Sequence, residues 1–519
     1  MIRSGSRFTG GRQMRLATLT LASVLASVGD VVLGFSPSAL AQHTASTKTA
    51  SQEQKKLLER VDALTRQVQI LEKRLEQTQQ STPARAQEVP VPAAGNERVE
   101  ALDQKVRTLE RRWEVEQEQV AAKAKEELIV GAGKDGFFLE SSDGDFQLRL
   151  RGYLQADGRF YADDQHHLGT DEFLMRRVRP IIEGTVYKYF GFYLMPDFGG
   201  SSPALADAYI EARLWPEANL RVGKYKPSVG LERLLSVAQI LFVERGLPTN
   251  LVPNRDVGAQ YYGDLWNGVF SYSLGVFNGV PDLGNENSDN NDDKDFNGRF
   301  FVHPFKTTTF EPLRGLGLGL AGTYGDHAGT VSNPNLPSYL TQGQESFFRY
   351  RSDGTAAGTT IASGIESRYT PQGYYYWGPF GLLWEYVRTS QEVKRAQNQA
   401  TLDHDAWQIQ LSYILTGEHA SYGIPSPAQP LDFAKGTWGA FQIAARYGEL
   451  HVDKDAFPIF ANPASAARTA KSWGIGFNWY PNRNLRFILD YDQTDFTGGG
   501  VQGDRPKEHF ISSRFQISF

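Results

Sequence analysis

At 519 residues the chain has room for two to four ordinary domains or for one closed β-barrel, which runs long as a single unit. A polar mean hydropathy, with no apolar run after the N-terminus approaching the ~20 residues of a membrane helix, excludes a helical membrane protein. The absence of cysteine excludes disulfide scaffolds, thiolate metal sites and cysteine nucleophiles, and a formal charge of -5 leaves any basic character local.

The first element reads as an export signal over residues 1–41. Arg3, Arg7, Arg12 and Arg15 precede an apolar stretch from Leu16 to Leu33, and Ala39-Leu40-Ala41 predicts cleavage before Gln42. The alternative is an N-terminal membrane anchor, which Asp30 opposes by interrupting a short apolar core. Residues 42–130 read as a coiled-coil region. Leu57, Val61, Leu64, Val68, Leu71 and Leu75 step alternately by four and three, as do Val99, Leu102, Val106, Leu109 and Trp113. Between the runs, a Pro/Ala-rich spacer at 81–96 cannot be continuous helix. The seam predicts oligomerisation, with a lone amphipathic helix as the alternative; Val and Leu at its two positions lean toward two strands in a parallel coil.

From residue 137 to 519 the texture changes to short alternating segments broken by Gly, Asn, Asp and Pro. In FQLRLRGYLQADGRFY, Phe146, Leu148, Leu150, Leu154 and Ala156 share one face, while Gln147, Arg149, Arg151, Tyr153, Gln155, Asp157 and Arg159 share the other. The pattern recurs. Trp407, Ile409, Leu411 and Tyr413 oppose Gln408, Gln410 and Ser412, and Trp473, Ile475, Phe477 and Trp479 oppose Gly474, Gly476 and Asn478. Polar or tiny opposite faces argue against a soluble sandwich and for a transmembrane antiparallel β-barrel, apolar side to lipid and wet inside. Strands of ~10 residues plus turns give about 16 strands, a size that leaves an aqueous channel. Aromatic clusters at 374–380 and 478–481 match the interfacial girdle, and the last strand ends in Phe515, Ile517 and the terminal Phe519, like the insertion signal of bacterial outer-membrane barrels. The expected location is therefore the outer membrane, with the coiled coil in the periplasm and outer-membrane lipid around the barrel.

The stretches RVGKYKPSVGLERLLS (221–236) and FVERGLPTNLVPNRDVG (242–258), with GRFY at 158–161, FLMRRVRPIIEGTVYK at 173–188, DAY at 207–209, LTGEH at 415–419 and FNWYPN at 477–482, resemble the phosphate-selective porin O/P family in the family's order. The resemblance spans roughly residues 145–519 and implies a homotrimer of 16-stranded barrels whose pores are lined with basic residues and pass phosphate and other small anions. Carried over by position, it implies substrate-binding roles for Arg159, Arg176, Arg177, Arg233, Ser236, Arg245 and Arg299, with Asp207 as an acidic counterweight. Two departures bear on selectivity: Gly191 and Arg233 stand where lysines are expected, and Ser236-Val237 where two serines are.

Alternation puts Gly191 toward the pore, where the missing lysine removes a point charge. It also points Arg177, Arg179 and Glu183 inward, whereas Arg176 reaches the lumen only through a bulge or strand start near Pro180. Arg149 and Arg151 are read as pore-lining. Arginine suits the task because a guanidinium fork replaces an oxyanion's water with paired, charge-assisted hydrogen bonds, and acidic neighbours such as Asp157 and Asp207 trim the well so that the ion is released. The plainer account of each arginine is a structural partner of a carboxylate. Asp289, Asn291, Asp293 and Asp295 alternate as in calcium loops but lack the required glycine and glutamate, so a solvated loop is expected. No catalytic residue, metal site, cofactor or nucleic-acid surface is predicted. The function read from these features is a passive anion-selective porin for phosphate or related oxyanions; the alternatives are a differently selective channel, or a structural barrel tethered through its coiled coil. A lipid hydrolase would need a serine and histidine on one strand face, and none is evident.

Overall fold

The computed structural model describes residues 94–126, 128–133, 136–162, 169–200, 202–289 and 291–519, together with Ile70 and Lys73. The signal segment and, apart from Ile70 and Lys73, the first heptad run lie outside the described residues, as does the spacer up to residue 93. Helix α1 (Ala94–Glu126) carries the second run. Its start makes the last three spacer residues helical. Val106, Leu109 and Trp113 are all exposed along it, while its polar face is laced by pairs such as Arg107–Asp103 at 3.0 Å.

A hairpin follows, β1 (Leu128–Gly133) and β2 (Gly136–Ser141), and β2 pairs onto the first half of β3 (Gln147–Tyr161). The boundary expected at residue 130 thus falls inside a strand. Then come β4 (Glu172–Val186), β5 (Phe190–Asp197), β6 (Ala204–Trp215) and β7 (Ala218–Tyr225). After a long loop the chain continues through β8 (Asp256–Leu265), β9 (Phe270–Phe277), β10 (Asp295–Val302) and β11 (Leu316–Ala328). A separate small hairpin, β12 (Ser338–Leu340) and β13 (Ser346–Arg349), precedes β14 (Ile361–Trp377), β15 (Phe380–Arg395) and β16 (Asn398–Ile414). The last strands are β17 (Ala440–His451), β18 (Ala467–Tyr480), β19 (Leu485–Gly500), the two-residue β20 (Gly503–Asp504) and β21 (Glu508–Ser518).

Sixteen of these, β3 to β11, β14 to β19 and β21, pair antiparallel in sequence order, and β21 returns to β3 to close the barrel. Closure leaves no edge with unpaired backbone groups, a requirement in hydrocarbon. Gly152 and Phe519 complete the seam with reciprocal backbone hydrogen bonds of 2.8 and 3.0 Å.

Period-two alternation sorts the side chains as expected. Phe173, Ile210 and Phe296 stand outward with 82%, 65% and 62% of their surface exposed, while Gln155, Arg368, Gln372 and Arg514 are buried inside. No soluble fold leaves so continuous an apolar belt uncovered, whereas lipid covers it. One part of the interior is drier than alternation predicts. Inward-facing Val387 and Leu402 join Tyr339, Phe347, Phe348 and Phe460 in a buried apolar cluster, because β12–β13 packs against the wall there.

Candidate functional site

The loop between β7 and β8, residues 226–255, folds into the lumen. It contains one short helix, α2 (Leu231–Leu234), and a single turn at Leu247–Leu251. Most of its backbone has no ladder partner, so the barrel wall must supply hydrogen bonds. Gln155 and Gln516 donate to the Val237 and Ala238 carbonyls, both at 3.2 Å. Gln372 donates to Val229 at 2.7 Å, Asn478 to Leu241 at 3.1 Å and Arg446 to Glu244 at 2.6 Å. Glu385 and Asp490 accept from the Leu231 and Val243 amides at 2.7 and 2.5 Å. These partners come from β3, β14, β15, β17, β18, β19 and β21, against which the loop is held, leaving free space beside β3 to β7.

Glu244, buried on this loop, gathers four arginines. Arg176 meets it at 2.6 Å, Arg159 at 3.2 Å, Arg177 at 3.5 Å and Arg514 at 3.8 Å. Arg176 and Arg177 are neighbours in one strand, and both reach inward because the β3–β4 register skips from Arg177 to Met175, leaving Arg176 as the bulged residue. Burial pushes the Glu244 carboxyl up, and Arg176, Arg177 and Arg514 together overcome it, holding the group well below the usual carboxylate range. Arg514 also forks both oxygens of Asp157 at 2.7 Å.

Beside β3 to β7 lies a cavity of ≈ 330 Å³. Four arginines on its wall are each tied to a carboxylate: Arg151 to Glu183 and Arg221 to Glu211 at 2.8 Å, Arg179 to Asp197 at 2.7 Å, Arg255 to Asp207 at 3.0 Å. Ser236 lines it, its hydroxyl accepting from the Ala238 amide at 3.3 Å. Lys226 differs, donating to the Leu235 carbonyl at 2.7 Å. Burial, then the cations of Arg245 and Arg255, hold its ammonium well below the usual lysine range.

Arg233, Arg245 and Glu244 line a second cavity of ≈ 60 Å³. Arg233 donates to the Thr249 carbonyl at 2.7 Å and to Asn254 at 3.3 Å; Arg245 donates to the Leu235 and Glu232 carbonyls at 2.7 and 3.2 Å. Burial, reinforced by Arg245 and Arg255, depresses Arg233, and burial with Arg255 depresses Arg245. A guanidinium does not surrender its proton in this range, so both side chains remain charged in a setting that disfavours charge.

The sequence-predicted residues therefore fall into three groups. Arg159, Arg176 and Arg177 converge on Glu244, Asp207 and Ser236 border the larger cavity with Arg151, and Arg233 and Arg245 border the smaller. Arg299 stands apart on β10, hydrogen-bonded to Gln372 at 3.2 Å and 4.5 Å from the Phe301 ring centroid. Arg149 lies on β3 opposite Glu183 and lines neither cavity. Sequence reasoning did not single out Glu244, Arg255, Lys226 or Arg514 as site residues, although alternation in the last strand sets Arg514 opposite its apolar neighbours. Gly191 is likewise not a bare gap: a Cβ there would lie 3.1 Å from Glu211 Cγ and 3.2 Å from the Arg213 guanidinium, so the Glu211–Arg213 ion pair of β6 occupies the space above it. In the acidic loop, Asp289 pairs with Lys294 at 2.7 Å, and among the described residues no His, Cys, Asp or Glu cluster is arranged to hold a metal.

The family model described as phosphate-selective porin O and P matches residues 146–519. The chain belongs to this family. This porin is thus an outer-membrane channel of a non-enzymatic family. Among solved structures it is similar to the outer membrane channel DcaP of Acinetobacter baumannii, at 12% identity over 73% of this chain and 99% of that one with a TM-score of 0.47. It is also similar to OmpT of Vibrio cholerae, at 12% identity over 72% and 98% of the chains, TM-score 0.46. The anion-selective porin from Comamonas acidovorans matches at 11% identity over 72% and 100%, TM-score 0.45. No curated protein matches the chain.

Proposed function

We propose that this porin is a passive, anion-selective channel for phosphate or related oxyanions, driven only by the solute gradient. One observation carries the reading. Lys226, Arg233 and Arg245, all on the luminal loop, direct their hydrogen bonds to carbonyl oxygens rather than carboxylates. Buried cations without a paired anion are costly unless something negative arrives, and a permeating anion is that partner. Its water is replaced by forks that release it again, because the neighbouring arginines already hold carboxylates. Such a channel would be a homotrimer, and α1 belongs to a periplasmic coiled coil.

Reversal potentials in a potassium chloride gradient test the reading. Chloride should carry most of the current, and millimolar phosphate should reduce it. A preference for potassium would reject anion selectivity, and a chloride current indifferent to phosphate would leave a differently selective anion channel.

A further inference from the structure

The larger cavity combines charge with an aromatic wall that a bare inorganic ion does not use. Tyr193 and Tyr209, opposite one another on β5 and β6, stack with ring centroids 5.0 Å apart and planes within 5°. Tyr225 meets Tyr209 edge-on at 5.8 Å. The Arg221 guanidinium lies 4.3 Å from the Tyr209 centroid and 5.3 Å from that of Tyr225. This crowding requires Gly223 between Arg221 and Tyr225: its φ is +135°, and a Cβ there would sit 2.3 Å from the Ala208 carbonyl oxygen. From the loop, Leu234 and Val237 border the same cavity. Val237 also belongs to a buried apolar cluster with Tyr153 and Met195, against which Tyr193 packs.

Charge bookkeeping points the same way. Arg151, Arg179, Arg221 and Arg255 each hold a carboxylate, whereas Lys226 does not. Because Glu211 is shared with Arg213, the wall carries more cations than carboxylates, which suits an oxyanion. At ≈ 330 Å³ the space reaches the lower end of the ~300–1,000 Å³ typical of small organic ligands. We infer that this cavity favours oxyanions borne on a planar aromatic ring, an aryl carboxylate or aryl phosphate, over the same headgroup without the ring. The oxyanion meets Lys226 and the outer edges of the arginine forks, and the ring lies between the outer face of Tyr193, which Tyr209 backs, and the Leu234–Val237 side.

The inference rests on the anion-channel reading, and block of single-channel chloride current separates the two. Benzoate is compared with cyclohexanecarboxylate, equal in charge and lacking a π face, and phenyl phosphate with inorganic phosphate. The aromatic member of at least one pair should block at about fivefold to tenfold lower concentration, and the pair that does so identifies the headgroup. Tyr209→Leu should bring that ratio toward one; Tyr193→Leu, measured in parallel, serves if the first variant fails to assemble. Parity in both pairs of the native porin, or a ratio untouched by both substitutions, overturns the inference. Parity with chloride selectivity intact leaves the channel reading standing, whereas potassium selectivity removes that reading first.

Discussion

Arg176 and Arg177, adjacent in the chain, both bind Glu244, at 2.6 and 3.5 Å. In a regular strand two neighbours point to opposite faces, so this shared contact exists only because the strand bulges at Arg176. The loop carboxylate thereby occupies a cradle shaped for an oxyanion.

Replacing that resident carboxylate should open the cradle. In Glu244→Gln, four guanidinium groups lose a shared carboxylate, and phosphate or another oxyanion should dwell there about tenfold longer, equivalent to roughly 1.4 kcal/mol. Single-channel blocking events measure it; unchanged dwell times would assign Glu244 a purely structural role.

On the anion-channel reading, Arg233 and Arg245 should make separable contributions of charge and shape. Arg233→Ala or Arg245→Ala should shift the reversal potential toward that of an unselective pore. Arg233→Lys should keep the potential near its native value yet shorten oxyanion dwell several-fold, since lysine supplies a point charge without the fork.

On the same reading, Lys226 should make selectivity pH-dependent. Its ammonium is held below the usual lysine range first by burial and then by Arg245 and Arg255, so the proton leaves at a lower pH than in a free lysine. The cation is therefore lost as pH rises, at a lower pH than for a free lysine, and chloride preference should fall across that step. Lys226→Arg should flatten that decline. An equal slope in both proteins would remove Lys226 as its source.

Arg514 and Asp157 bridge the closing seam between β21 and β3 with two 2.7 Å hydrogen bonds, fully buried. Arg514→Ala strands a buried carboxylate and should destabilise the barrel by about 3 kcal/mol. The temperature at which the folded band disappears in detergent electrophoresis should drop. Removing both charges, in Arg514→Leu with Asp157→Leu, should recover most of the loss.

Much of the barrel was legible because a strand's period is fixed by backbone geometry. Alternation alone put Gln155, Asp157, Arg159 and Arg177 inside, and the conflict at Arg176, with Pro180 four residues on, exposed the bulge. The inner loop was not legible. Residues 226–255 have no period, and their place depends on side chains such as Gln516 and Asp490, more than 200 residues away, so Glu244, Lys226 and Arg255 carried no local signal. Pairing likewise escapes a one-dimensional reading: Arg151 and Arg221 were findable as inward cations, but not their coupling to Glu183 and Glu211.

Gln155 on β3 and Gln516 on β21 hydrogen-bond to each other at 2.7 Å while each holds a loop carbonyl. The first and last strands of the barrel thus jointly suspend the inner loop. During biogenesis, an unzipped barrel cannot supply both anchors; the loop gains this paired support only when the two ends of the barrel meet.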